Sequence, residues 1–191
     1  MALLRRKPQN TRPTLGLKLR MLLLVLLPLS CSATHAYADN IEFEYRVKSA
    51  FLYNFTKFIE WPVPEMTRSD FVMCVAGNSK FHAKLIETVG NQQNNNQPIR
   101  FSFLQHPGEA RNCQLVFLGF ADHERLSDWV DSMSELAVLT VSDEQDFINV
   151  GGMVQFIIVD GKIRFDINQS AAKSLRIKIS SKLLGLARNV N

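Results

Sequence analysis

The chain has 191 residues, and its 22 Lys and Arg against 18 Asp and Glu give a formal net charge of +4. Six of the basic residues and none of the acidic ones fall in residues 1–38, which leaves 16 basic against 18 acidic side chains in the remainder. The basic balance is therefore local to the amino-terminal segment and is no evidence for nucleic-acid binding. Residues 39–191 suit one domain with its own hydrophobic core.

The first 38 residues have the pattern of a secretory signal. Basic residues lead into an apolar run over 21–29, and the A-Y-A sequence at 36–38 offers a cleavage site before Asp39. The apolar run is shorter than the ~20 residues of a transmembrane helix, so an uncleaved anchor is only an alternative, as is lipid attachment at Cys31. We expect export to the periplasm and no transmembrane helix in the mature chain.

Two cysteines remain after the signal, Cys74 and Cys113. An oxidising compartment favours a disulfide bond between them. Neither lies in a C-x-x-C motif or beside a histidine, as redox or nucleophilic chemistry would favour. Two buried free thiols are the alternative.

The first predicted element of the mature chain is a helix over 41–59, stopped by Trp61-Pro62. Its apolar residues fill an arc of about 200° on the helical wheel, about twice the width of a one-sided surface helix. Such a helix needs cover on two sides, from the domain itself or from another molecule. Asn54 falls inside this arc as a buried structural amide or a partner-facing group, and Lys57 flanks it on the polar side.

Buried strands and helices then alternate along the chain. Strands are predicted at 71–77, 99–104, 114–120, 137–141, 153–159 and 162–167, and helices at about 79–89 and 123–134. The stretch 90–98 is predicted to be a polar, flexible loop, and Asp160-Gly161 a two-residue hairpin turn. A last helix is predicted after Asn168, a plausible N-cap, with an apolar stripe that continues to Val190. This alternation predicts a Rossmann-like three-layer α/β domain with a mixed, partly parallel sheet of about six strands flanked by helices.

Patterns that carry catalysis are missing from the sequence. It contains no G-x-S-x-G motif, and the histidines of the mature chain, His82, His106 and His123, show no metal-ligand spacing. We therefore predict no enzymatic activity, no cofactor and no metal.

Two places could nevertheless hold a ligand. The turn after the first strand, at Gly77, has a single glycine without the spacing of a phosphate loop, so an ordinary turn is the other interpretation. Ser142-Asp143 follows a predicted strand, at the sheet edge where α/β proteins collect ligands, or it forms a turn and caps a short helix.

Several blocks, in order along the mature chain, resemble the YfiR/HmsC-like periplasmic proteins. The first block is F-L-Y-N-F-x-K-F-x-x-W-P, and the later blocks surround the two cysteines, the G-G pair and the R-F-D-I-N and S-S-K-L-L sequences. The signature residues, as core or partner contacts, are Phe51, Tyr53, Asn54, Lys57, Trp61, Pro62, Ser142, Asp143, Phe147, Gly151, Gly152, Asp166, Asn168, Ser180 and Ser181.

The resemblance implies a regulatory function without chemistry. It implies a periplasmic protein that binds the periplasmic sensor domain of an inner-membrane diguanylate cyclase and represses cyclic-di-GMP synthesis and biofilm formation. An OmpA/Pal-like outer-membrane lipoprotein is implied as a second partner, a homodimer is compatible, and Cys74 and Cys113 match the disulfide of the family. A periplasmic small-ligand-binding sensory module is the alternative, because of Gly77 and Ser142-Asp143.

Overall fold

The computed structural model describes residues 32–62 and 69–191, with side chains from residue 40 onward. Most of the predicted signal, residues 1–31, lies outside the described residues. Residues 41–191 form one compact unit, and the fold described below is that of this unit.

Helices and strands are interspersed along the described chain. In chain order they are α1 (Ser32–Thr56), β1 (Ile59–Glu60), β2 (Phe71–Ala76), α2 (Ser79–Val89), β3 (Gln93–Asn94), β4 (Gln97–Leu104), a 3-10 helix (Pro107–Asn112), β5 (Leu115–Leu118), α3 (His123–Ser132), β6 (Leu139–Ser142), β7 (Val154–Val159), β8 (Lys162–Ile167), α4 (Gln169–Ser174), β9 (Lys178–Ile179) and α5 (Ser181–Leu184).

The main sheet of the described chain has seven strands in the order β3-β4-β2-β5-β6-β7-β8. The five strands from β4 to β7 in this order are parallel, while β3 and β8 pair antiparallel at the two ends. Numbered along the chain, the parallel strands run 2-1-3-4-5, which is the flavodoxin-like doubly wound order. The predicted mixed, partly parallel α/β sheet is confirmed, with one strand more than expected. A separate pair, β1 with β9, is antiparallel.

Side chains of the central strands alternate between two hydrophobic clusters, as the two-residue period of a strand requires. In β2, Met73 and Val75 face the cluster that contains α1 and α2, whereas Cys74 and Ala76 face the cluster that contains α3 and the 3-10 helix. The sheet therefore lies between two helical layers, which confirms the predicted three-layer arrangement.

Four phenylalanine rings join α1 to the β7–β8 hairpin. Phe51 and Phe55 of α1 contact Phe156 and Phe165, with ring centroids 5.1 to 5.9 Å apart. Phe55 is 1% exposed, and Phe51 is partly buried against the same cluster. The ring of Phe51 thus belongs to the core of the isolated chain.

Replacing Phe51 tests this placement. We expect Phe51→Ala to lower the free energy of unfolding by about 3 kcal/mol, because it removes ring contacts from a packed aromatic cluster. Urea unfolding followed by circular dichroism measures the change. Asn54→Ala, on the exposed side of the same helix, is the control and should change stability by less than about 0.5 kcal/mol. Equal stabilities of the two variants would contradict the core assignment.

Cys74 and Cys113 form a disulfide bond, which confirms the predicted pairing. The bond joins the middle of β2 to the residue two positions before β5, its parallel neighbour, and both cysteines are buried. It closes a loop that spans 39 positions and includes α2, β3 and β4.

The double variant Cys74→Ala/Cys113→Ala should lose about 2 to 4 kcal/mol of stability, because the bridge restricts the unfolded chain. Urea unfolding with and without a thiol reductant checks this expectation. The reductant should destabilise only the wild-type protein. A wild-type protein whose unfolding midpoint is insensitive to complete reduction would rule out a stabilising role for the bridge.

The predicted helix over 41–59 differs from the structure at both ends and in its buried arc. Helix α1 begins at Ser32 and ends at Thr56, and Ile59 belongs to β1. Asn54 is exposed, so the prediction of an amide within the buried arc is wrong. The reason is geometric, because Asn54 is rotated by about 200° around the helix from the fully buried Leu52.

The prediction of a polar loop over 90–98 is wrong in part. This stretch contains β3 and the start of β4, joined by Asn95 and Asn96, whose φ angles are 48° and 64°. Asparagine tolerates this left-handed conformation, which a two-residue hairpin turn needs at both central positions.

The prediction of a single carboxyl-terminal helix is also wrong, because α4, β9 and α5 occupy that stretch. Asn168 caps α4, as predicted, but Ser180 caps a second helix, and Arg176 between them has a φ of 60°. After α5, residues 188–191 run along β8, where Asn191 N donates to Ile167 O at 2.9 Å and Arg188 N to Phe165 O at 2.9 Å.

Candidate functional site

The carboxyl ends of the parallel strands form the edge where a ligand site is expected. The chain leaves β2 toward β4 on one side and later continues from β5 toward β6 on the other. The strand order therefore reverses between β2 and β5, and open α/β sheets bind ligands in the crevice at such a point. Gly77-Asn78 follows β2 at this edge, and Gly119 follows β5.

Asn78 is held by bonds within the chain. Its Oδ1 accepts from Phe81 N at 2.9 Å and caps α2, and its Nδ2 donates to the hydroxyl of Tyr45 at 3.0 Å. Gly119 packs so closely that an added Cβ would lie 2.7 Å from Asn78 Cβ. The predicted turn at Gly77 is thus a helix cap, and Tyr45 of α1 covers it.

Lys48 of α1 supplies the second contact at this edge. Its side chain is buried, and its ammonium pairs with Glu44 on the same helix and with Asp143 after β6. Burial alone would lower the pKa of Lys48, but Asp143 and Glu44 outweigh it, so the pKa lies above the ordinary value. The charge of Lys48 is therefore kept, and it ties α1 to the end of β6.

Ser142 and Glu144 lie on either side of Asp143. The Ser142 hydroxyl is fully buried, donates to Leu118 O at 2.7 Å and accepts from Glu144 N at 3.1 Å. It therefore holds a turn, and turns rather than a helix follow it. Burial, with a smaller contribution from the Asp143 carboxylate, raises the pKa of Glu144.

The arrangement at the carboxyl edge joins elements of the fold. The sequence predicted a possible ligand at the turn after β2 and at Ser142-Asp143. In the structure, Tyr45 bonds Asn78 in the first turn, and Lys48 pairs with Asp143 at the second position. Within residues 32–62 and 69–191, no group of three or more His, Cys, Asp or Glu side chains could hold a metal ion.

Asp143 and Glu44 should differ in their importance to stability. We expect Asp143→Ala to lower the free energy of unfolding by about 2 kcal/mol, because Lys48 then stays buried without a partner on the sheet. Glu44→Ala should cost less than about 1 kcal/mol, because Glu44 is a more exposed partner on the same helix. Urea unfolding measures both values. A larger loss for Glu44→Ala than for Asp143→Ala would contradict the importance of the Lys48–Asp143 ion pair.

A second candidate region lies around β1. Three signature residues, Lys57, Trp61 and Ser180, line the clefts there. One cleft of about 220 Å3 is lined by Trp61, Phe71, Asn94 and Gln114, and another of about 460 Å3 by Lys57, Lys178 and Ser180, among others. Ile59, Glu60 and Asn95 line both clefts, so the two meet at β1. We call the pair the β1 groove.

The signature residues in and beside the β1 groove make defined contacts. The Trp61 indole N–H donates to Gln114 O at 2.8 Å, and the Lys57 ammonium lies 4.0 Å from the centre of the Tyr53 ring. The Tyr53 hydroxyl donates to Gln93 O at 3.3 Å and so links α1 to β3. The sequence identified Tyr53, Lys57 and Trp61 as signature residues but did not predict that they lie near the β3–β4 hairpin.

Comparison with known proteins identifies the family of this chain. The YfiR/HmsC-like family model matches residues 45–188, which is most of the chain. The chain belongs to the YfiR/HmsC-like family. The match starts at Tyr45, which bonds Asn78, and ends at Arg188, which pairs with Asp166.

Membership of the YfiR/HmsC-like family bears on the function only in general terms. It supports a periplasmic, non-enzymatic regulator of cyclic-di-GMP signalling. In the described part of the chain, no helix is both long and apolar enough to cross a bilayer.

Two solved structures are similar to part of this chain. A conserved domain protein from Vibrio cholerae is 10% identical to this chain, with a TM-score of 0.49. The match covers 68% of this chain and 57% of that protein. The ABC domain in complex with L-Trp from Streptococcus pneumoniae is 13% identical with a TM-score of 0.46, covering 64% of this chain and 55% of that one. This chain thus spans little more than half of either, and likeness at this level carries no functional argument. None of the curated proteins matches the sequence.

The remaining signature residues of the YfiR/HmsC-like family occupy structural positions in this chain. Phe147 is buried, and an added Cβ on Gly152 would lie 2.3 Å from its ring, while Gly151 has a φ of 93°. Asp166 Oδ1 accepts from Arg188 Nε at 2.9 Å, and Asn168 caps α4. Pro62 is partly buried, and Ser180 caps α5. Ser181 is exposed, and its main-chain carbonyl accepts from Gly185 N at 2.9 Å.

Sequence reasoning missed Tyr45, Lys48 and the pair of buried amides, Asn94 and Gln114. The signal for Lys48 is its place four residues before the buried Leu52 and four after its partner Glu44. A lysine on a buried helical stripe needs a carboxylate, but its sequence position does not say which one.

Proposed function

We propose that this protein represses an inner-membrane diguanylate cyclase by binding the cyclase's periplasmic sensor domain, and thereby lowers cyclic-di-GMP synthesis and biofilm formation. Membership of the YfiR/HmsC-like family is the observation that carries the proposal. Export through a signal cleaved before Asp39 forms part of it. The disulfide between Cys74 and Cys113 is consistent with an oxidising compartment.

The geometry at Asn78 and Asp143 disfavours binding of a small metabolite at these two positions. The crevice at the strand-order reversal is the usual ligand site of this topology, and here Tyr45 and Lys48 of α1 bond the residues that would line it. A small-ligand sensor that used Gly77 or Ser142-Asp143 would first have to displace α1.

The proposal extends to a second partner. An OmpA/Pal-like outer-membrane lipoprotein that sequesters this protein would release the cyclase, and a homodimer is compatible with both states. The signature residues on the surface, above all Asn54, Lys57 and Ser181, are available for such contacts because they are exposed.

Deleting the gene should raise cellular cyclic-di-GMP, because the cyclase then loses its repressor. Mass spectrometry of nucleotide extracts measures the change, and expression of the full chain should restore the low level. A version without residues 1–38 should fail to restore it, because it would not reach the periplasm. Loss of the cyclase should abolish the rise.

The physical contact is tested separately from the signalling effect. The tagged full-length chain should copurify with the cyclase from solubilised inner membrane, and a purified periplasmic sensor domain should bind it directly. Unchanged cyclic-di-GMP in the deletion strain, together with no binding to the sensor domain, would refute the proposal.

A further inference from the structure

Strand β4 is open along most of one side. On its inner side β2 pairs with the whole stretch Ile99–Leu104, while on its outer side β3 pairs only with Gln97 and Pro98. Among the described residues, no strand and no isolated bridge pairs with the outer side of Ile99–Leu104. We call this outer side of Ile99–Leu104 the β4 edge.

The β4 edge carries main-chain groups that can accept a further strand. Along a strand, the N–H and C=O of successive residues point to opposite sides, so every second residue from Ile99 to Leu104 points away from β2. Within residues 32–62 and 69–191, these outward N–H and C=O groups have no hydrogen-bond partner. Such a row of unpaired groups is a template for an added strand.

The sequence of β4 does little to block an added strand. Natural edge strands are commonly protected by lysine, by proline, by a bulge or by a covering segment. The stretch I-R-F-S-F-L at 99–104 has no proline and one charged residue, Arg100. Residues 188–191 cover the carboxyl end of β8, but no segment of the described chain covers β4 in this way.

An apolar surface flanks the β4 edge on the face of the sheet that carries α2. Phe101 and Phe103 are half-buried and pack against the cluster that contains α1 and α2. The ring of His82 on α2 lies 5.5 Å from the ring of Phe103, between centroids. Ile86 follows one helical turn after His82 and is 42% exposed. A strand added at the β4 edge would therefore also cover apolar side chains.

The β4 edge is complementary to itself. In an antiparallel pair, side chains that face each other lie on the same face of the sheet. If a twofold axis normal to the sheet relates two copies, this condition holds only when one residue faces its own equivalent at the axis. An axis at Ser102 pairs residues 100–104 of the two copies and uses only the open stretch. An axis at Phe101 would place Leu104 of one copy against Pro98 of the other, where β3 already pairs.

The register centred at Ser102 brings compatible side chains together. Phe101 of each copy faces Phe103 of the other, and cross-strand aromatic pairs stabilise antiparallel sheets. Arg100 faces Leu104 of the other copy, so no like charges are opposed. Because the axis is normal to the sheet, both copies of α2 lie on the same face of the joined sheet, and the exposed Ile86 of each copy lies on that face too.

We propose that this protein forms a homodimer in which the β4 edges of two copies pair antiparallel, centred at Ser102, so that one sheet continues across both copies. A second copy is the occupant that fits, because the apolar surface at Phe101 and Phe103 is then covered by the same surface of the other copy. The interface depends on the β4 edge and not on the cyclase, so failure of either proposal leaves the other standing.

Charge complementation at the twofold axis tests this register. Sedimentation velocity over a dilution series of the oxidised chain from Asp39 onward, which contains the whole compact unit, should show a dimer. Ser102→Asp and Ser102→Lys should each weaken dimerisation at least tenfold, because each opposes two like charges at the axis. An equimolar mixture of the two variants should restore the dimer, because opposite charges then meet. A monomeric wild type, or a mixture that stays monomeric, overturns the proposal.

Two further variants are the controls. Ser102→Thr keeps the position neutral and should dimerise like the wild type. Ser170→Asp makes the same substitution at an exposed serine away from the β4 edge and should also dimerise like the wild type. Loss of the dimer in Ser170→Asp would overturn the proposal, because added charge anywhere on the surface would then be sufficient.

Hydrogen exchange measured by mass spectrometry gives a readout on the wild type that needs no substitution. Amides of residues 99–104 should exchange at least several-fold more slowly at high protein concentration than at low concentration. Amides at 165–167 are the control and should not change, because residues 188–191 already cover that edge. A dimer without added protection at 99–104 overturns the proposal. Protection that appears in a monomeric chain only when the cyclase sensor domain is added also overturns it, because the β4 edge would then bind a strand of that partner.

Discussion

The ion pair between Lys48 and Asp143 is the constraint on which the arrangement of the domain depends. It is made by residues 95 positions apart, and it fixes α1 at Lys48 beside the carboxyl end of β6. An ammonium this deeply buried is stable only with its carboxylates in place. Farther along the same helix, Phe51 and Phe55 pack on the β7–β8 hairpin, and Tyr53, Lys57 and Trp61 lie at or beside the β1 groove.

The same constraint explains why a fold typical of nucleotide and metabolite binding is used differently in this chain. In a flavodoxin-like sheet, the crevice at the strand-order reversal is ordinarily free for a ligand. In this YfiR/HmsC-like domain, side chains of α1 bond both Asn78 and Asp143. In the described part of the chain, buried side-chain atoms without a hydrogen-bond partner occur at His82 and at two amides beside the β1 groove, Asn94 and Gln114.

The strands of the sheet could be predicted from the sequence because each is a run of apolar or alternating residues, as in β2 and β8. The carboxyl-terminal region could not, because an apolar stripe with helical spacing also arises when two short helices flank β9. Only the second cap, at Ser180, marks the interruption.

The candidate site was predictable to a smaller extent than the fold. The edge position of Ser142-Asp143 follows from local pattern, but the partner of Asp143 is a lysine on a distant helix, and lysines are normally solvated. The unused atoms of Asn94 and Gln114 depend on which neighbours already occupy the other half of each amide. No local pattern contains that information.

The path of residues 188–191 along β8 has a consequence for the behaviour of the protein in a crowded compartment. A sheet edge with free N–H and C=O groups is a template on which another chain can add a strand. Here Asn189 and Asn191 occupy both main-chain groups of Ile167, and Arg188 occupies the carbonyl of Phe165. At the other end of the sheet, the two-residue strand β3 covers only Gln97 and Pro98 of β4. The last residues of the chain thus block strand addition at Phe165 and Ile167, the carboxyl end of β8.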